Sequence, residues 1–96
     1  MKITFKKHKK EAGLAAVGYP YQSVDIKLNK QVIGMINAPN WHKQGWRIAF
    51  AIEKQEGWKW IFSAGVYNSE EESREAAKVM IPVLLSKGYT FHFLGD

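Results

Sequence analysis

From Val24 to Phe62 apolar and polar residues alternate with the period of a β-strand, and only the stretch from Ser69 to Gly88 changes to the period of a helix. Several strands and one helix must therefore share a single core. Alternating strands bury one face and leave the other to water, and one helix can cover one face. The fold class expected is α+β: an antiparallel β-meander of about five to six strands packed against one long C-terminal helix.

Ile3 and Phe5 alternate with Lys2, Thr4 and Lys6 as a first strand. Residues 8–20 form an irregular connection, with room for a helical turn between Glu11 and Val17, ending at Gly18-Tyr19-Pro20. Val24, Ile26 and Leu28 mark the second strand, and Asn29-Lys30 suits a two-residue hairpin into Val32–Ile36. Gly34 signals a bulge or a close backbone approach. Ala38 to Gly45 reads as a loop. Trp46, Ile48, Phe50 and Ile52 share the buried face of the next strand, Lys54 to Gly57 closes a hairpin, and Trp58, Trp60 and Phe62 continue that face with Lys59 and Ile61 opposite. Tyr89, Phe91 and Phe93 alternate as a last strand.

Ser69 and Glu72 have the spacing of a capping box, and Glu70 and Glu71 suit the positive end of the helix dipole. The helix expected over 69–87 stops at Gly88 and is kinked at Pro82. Ala76, Ala77, Val79, Met80, Val83 and Leu84 form its core stripe. Ile81 and Leu85 point away, which leaves monomer and homodimer both open.

A chain of 96 residues makes a single domain, 1–96, with residues 1–10 as a basic arm. The absence of cysteine excludes disulfides and thiolate chemistry and points to a reducing, cytoplasmic setting. Lys2, Lys6 and Lys7 precede an Ala-rich stretch as in a secretion signal, but Glu11 interrupts it and Ala12–Val17 is too short. No stretch approaches the roughly 20 apolar residues of a membrane span. The net charge of +5 lies in the arm, where Lys2, Lys6, Lys7, Lys9 and Lys10 meet no acid; the remainder balances nine basic against nine acidic side chains. Such an arm attracts phosphates or acidic protein surfaces, and it also serves solubility alone.

Catalytic chemistry is sparse. Asp25 and Asp96 are the only aspartates, capping explains the glutamates at the helix start, and no phosphate-binding glycine loop or nucleophile elbow is present. His8, His42 and His92 lack the local spacing of metal ligands. The expectation is a non-enzyme without cofactor or metal. Trp41, flanked by Asn40, His42 and Lys43 in a loop, suits a contact anchor or a base-stacking platform, or else a lid on the sheet edge. By alternation, the face opposite the helix carries Lys2, Thr4, Lys6, Ser23, Lys27, Arg47, Lys59, Thr90 and His92, an open basic surface.

Trp46-Arg47-Ile48, Trp58-Lys59-Trp60 and the helix opening Glu71-Glu72-Ser73-Arg74-Glu75-Ala76 resemble, over residues 32–85, the sheet and helix of integrase arm-binding domains. A double-stranded-RNA-binding domain fits less well, because the Glu70-Glu71-Glu72 run would repel phosphate. The opening Met1-Lys2-Ile3-Thr4-Phe5, the strand over 24–29 and the Glu-rich helix start after a Trp-rich hairpin resemble small phage and prophage accessory proteins. That resemblance implies binding to a host protein or nucleoprotein complex, such as a defence or recombination system, and its modulation or inhibition. The alternative is direct binding of DNA or RNA through the basic arm and sheet face.

Overall fold

Asn29 and Lys30 both take positive φ, 50° and 74°, the pair that the tightest hairpin turn requires. They fold β2 (Ser23–Leu28) back on β3 (Gln31–Asn37), with Leu28 opposite Gln31. Asn29 also fixes the preceding strand: its N–H donates to the Lys2 carbonyl at 2.8 Å and its Oδ1 accepts from the Lys2 N–H at 3.0 Å. The computed structural model describes residues 2–7, 23–39 and 44–95. The connection expected over 8–20 and the Trp41 loop lie outside them. With β1 (Ile3–Lys7), β4 (Arg47–Glu53) and β5 (Trp58–Phe62), the described strands form one antiparallel sheet in the order β1-β2-β3-β4-β5.

Gly34 sits where two strands come closest. A Cβ there would lie 2.3 Å from the Ala49 carbonyl and 3.0 Å from the Phe50 ring, so only glycine fits. Just before it, the pairing of β2 with β3 shifts register between Ile26 and Lys27, which leaves Ile33 as an extra residue in β3. Ile33 and Ile36 still turn into the core with Val24, Ile26, Ile48, Phe50 and Ile52.

α1 (Glu70–Ser86) covers this face. Ser69 Oγ accepts from the Glu72 N–H at 3.1 Å, and the Glu72 carboxylate accepts from the Asn68 N–H at 3.0 Å. The first bond satisfies a donor that a helix start leaves open, and the second ties the first turn to the residue before the cap. At the other end Gly88 takes φ 93°, its N–H donates to Leu85 O, and the Tyr89 N–H donates to Leu84 O, the paired bonds of a glycine stop. Pro82 lies within one continuous helix.

The buried face of α1 differs from the expected one. Ser73, Ala77 and Ile81 are buried, with Ala76, Met80 and Leu84 beside them, whereas Val79 and Val83 are 65% and 45% exposed. The helix carries apolar side chains on more than one stripe, and small Ser73 and Ala77 are the residues over which a sheet can approach closely. Ser73 Oγ donates to the Ser69 carbonyl at 2.9 Å, so its hydroxyl is buried with a partner.

No sixth strand forms from Tyr89 to Phe93; only an isolated bridge joins Phe91 to Ile52. The ladder between β3 and β4 ends at Gly34 and Phe50. Beyond it the two strands part, and the last described residues bond to both. The Glu53 N–H donates to Thr90 O and the His92 N–H to Ala51 O, while the Leu94 N–H donates to Val32 O and the Val32 N–H to Gly95 O. Phe91 enters the core against Phe50, ring centroids 5.6 Å apart, and Phe93 stays exposed. Sharing its bonds between two diverging strands denies the segment a ladder of its own.

Gly34→Ala should lower stability by about 1–3 kcal/mol through overpacking against Ala49. Ser69→Ala should cost about 0.5–2 kcal/mol through loss of the cap. Urea unfolding reads both, and an unchanged midpoint would contradict the corresponding contact.

Candidate functional site

Four residues, 54–57, separate Glu53 from Trp58, which face each other across the hairpin. The register then sets Ile52 opposite Lys59, Phe50 opposite Ile61, Ala51 opposite Trp60 and Ala49 opposite Phe62. Directly opposed residues share a face of an antiparallel sheet. Ile61 therefore joins the core side, and Trp58, Trp60 and Phe62 emerge on the face away from the helix. This corrects the expectation that these three aromatics continue the buried face. It also removes Lys59 from the outer face, since it lies level with buried Ile52.

The outer face has an aromatic half and a basic half. On β5, Phe62 is 63% exposed and Trp58 40%. Trp58 meets Trp60 edge-on, centroids 5.3 Å apart at 77°, and stacks flat on His92 at 4.8 Å and 8°. His92 Nδ1 lies 2.8 Å from the Glu53 carboxylate, which fixes the ring that Trp58 stacks on. Ala49 and Ala51 are buried between these rings and β3, forming a low floor. On β1 and β2 the same face carries Thr4, Lys6, Asp25 and Lys27, and Arg47 stands on β4 opposite Asn37. The Arg47 Nε is buried with no hydrogen-bond partner. At about 4.8 Å per strand, Lys6 on β1 and Phe62 on β5 are about 19 Å apart across one transverse row.

The remaining expected contact residues separate. Lys7 is level with Val24 on the helix side, where its Nζ reaches the Glu70 carboxylate at 3.2 Å. Glu70 also holds Arg74 at 2.7 Å, and the Arg74 guanidinium lies 5.2 Å from the centre of the Phe5 ring. Lys7 thus ties β1 to the helix start and is not part of the outer face. Lys59 neighbours Lys54, whose pKa it lowers, first through a hydrogen bond between the side chains and then through its like charge. Lys2 is exposed at the start of β1. Trp41, His42, Lys43, Lys9 and Lys10 lie outside the described residues, as does His8.

Trp58, Trp60 and Phe62 are functional candidates that alternation alone assigns to the wrong face; Glu53, which alternation sets on the outer face with Arg47, Ala49 and Ala51, stands beside them there. The signal for them is the hairpin itself: an even number of turn residues inverts which parity faces inward. Among the described residues no group of three His, Asp or Glu side chains is placed to hold a metal, and no helix is long and apolar enough to cross a membrane. No protein family, curated protein or solved structure matches the chain.

Phe62→Ala should leave stability within about 0.5 kcal/mol, as a surface change. Phe50→Ala, removing a ring from the core, should cost about 3–5 kcal/mol. Equal losses for the two in thermal or urea unfolding would show that Phe62 is covered in solution.

Proposed function

We propose that the protein is a non-enzymatic binding module whose outer sheet face takes single-stranded nucleic acid. One observation carries the reading: exposed aromatic rings on β5 share a face with Lys6, Lys27 and Arg47. Rings offer stacking to any base, and cations placed across the sheet follow the phosphates. A duplex keeps its bases stacked on each other and would use only the basic half, so rings that stand exposed beside the cations favour an unpaired strand. The resemblance to integrase arm-binding domains supports nucleic acid as the ligand class. Glu53 is the acid that would oppose a phosphate near the rings, and its pairing with His92 reduces that opposition whenever the imidazole is protonated.

A second reading rests on the helix. Val79 and Val83, four residues apart, stand exposed on the side of α1 away from the sheet. An apolar stripe of this kind fits a protein partner, which supports a phage-type accessory protein that occupies and inhibits a host complex in the cytoplasm. The two readings use different surfaces and separate by mutation.

Binding of a labelled oligonucleotide, followed by anisotropy over a range of salt, tests the first reading. Log affinity should fall linearly with log salt, and each of Lys6→Gln, Lys27→Gln and Arg47→Gln should flatten the slope by about 0.7. Phe62→Ala should weaken binding by about 1–3 kcal/mol at every salt concentration. Lys7→Gln should leave the slope unchanged, because that side chain serves Glu70 on the other face. Absence of binding at low salt, or equal effects from Lys7 and Lys6, would sink the reading. Val79→Lys with Val83→Lys should abolish capture of a host complex and leave oligonucleotide binding intact; loss of both would undo the separation.

A further inference from the structure

We infer that the free edge of β5 pairs with the same edge of a second copy of this chain. The sheet order places β5 outermost, and among the described residues no strand bonds to its outer side. The direction of its backbone groups follows from the ends of the β4–β5 ladder. The Lys54 N–H donates to Gly57 O at one end, and the Ser63 N–H donates to Ile48 O at the other. Bonded and non-bonded pairs alternate along an antiparallel ladder. Lys59 and Ile61 therefore turn their N–H and C=O groups inward to β4. Trp58, Trp60 and Phe62 turn theirs outward, to the free edge.

A twofold axis at Trp60 makes this edge its own complement. Trp60 then faces Trp60 of the second copy, and Trp58 and Phe62 face each other twice. All three positions have outward backbone groups, so both members of every pair can bond without a register conflict. The exposed Phe62 ring comes to rest beside the Trp58 of the second copy, on the same face of the joined sheet. Charge selects this register over its neighbours. Lys59, the one charged residue of β5, falls opposite Ile61; sliding by two residues one way sets Lys59 against Lys59, a directly opposed like pair. Sliding by two the other way leaves Trp58 without a bonded partner. The edge also lacks the proline or bulge that commonly blocks such pairing.

Five residues and two partly exposed rings bury far less than the roughly 800 Å² per partner of a stable interface. The dimer therefore dissociates on dilution. Joined in this way, the two sheets continue as one, with both aromatic halves at the centre and the basic strands at the two ends.

The full chain contains no cysteine, so single thiols report the register. A bonded antiparallel pair separates its Cα atoms by about 5.5 Å, within disulfide range. Under mild oxidation Trp60→Cys should form a covalent dimer by itself. Trp58→Cys alone and Phe62→Cys alone should remain single chains, and their mixture should cross-link. Sedimentation of the unaltered protein should show a mass rising from one chain toward two as concentration increases. Should a variant fail to fold by circular dichroism, amide exchange of the unaltered protein reads the same edge: the Trp58, Trp60 and Phe62 amides should gain protection with concentration. A constant single-chain mass, equal cross-linking of all three variants, or concentration-independent exchange would overturn the proposal. A strand from another protein as the true occupant would give the first of these results.

Discussion

Glu53 and Trp58 face each other across a four-residue turn, and this spacing governs more of the molecule than any single contact. It fixes the parity of β5 against β4, so that Ile61 enters the core beside Phe50 and the three aromatics leave it. The same parity aims the backbone groups of those aromatics away from β4. A turn longer or shorter by one residue would turn Trp58, Trp60 and Phe62 to the core side, where Lys59 and Ile61 now stand on that strand. Large rings at the outer face thus follow from the hairpin, and the small residues opposite them, Ala49 and Ala51, complete a surface with a flat floor.

The helix side depends on small residues in the same way. Gly34 lets β3 approach the Ala49 carbonyl, and Ser73 and Ala77 present little bulk to the sheet beneath. Between these close approaches branched and aromatic side chains fill the core. Lys7, Glu70, Arg74 and Phe5 form a separate cluster that fastens the edge strand β1 to the helix start. These pairs are partly exposed, so their contribution is positional more than energetic.

Much of the architecture is legible in the residues because its signals are local. Alternation marks β2 to β5, Asn29-Lys30 marks its turn, and Ser69 with Glu72 marks the helix start, since capping involves only neighbours in sequence. The helix face is not legible by the same means. Val79 and Val83 recur at helical spacing as regularly as Ala77 and Ile81, and only the sheet decides between them. The basic half of the candidate site, Lys6, Lys27 and Arg47, follows from alternation. The aromatic half does not, because every second residue of β5 is apolar on one face and Ile61 is apolar on the other. Tyr89 to Phe93 alternates like a strand, yet its bonding partners are set by where β3 and β4 part.

That parting has a consequence for the order in which the fold can be completed. The amide of Val32 and that of Glu53 bond to residues 90–95, which a ribosome adds after β1 to β5 and α1. Until then the end of the sheet lacks its wedge, and Phe50 lacks the ring that packs on it. Contacts so distant in sequence form late and slow the final closure. A nascent chain would hold a half-open sheet until residues 90–95 leave the exit tunnel, and their arrival would lock it.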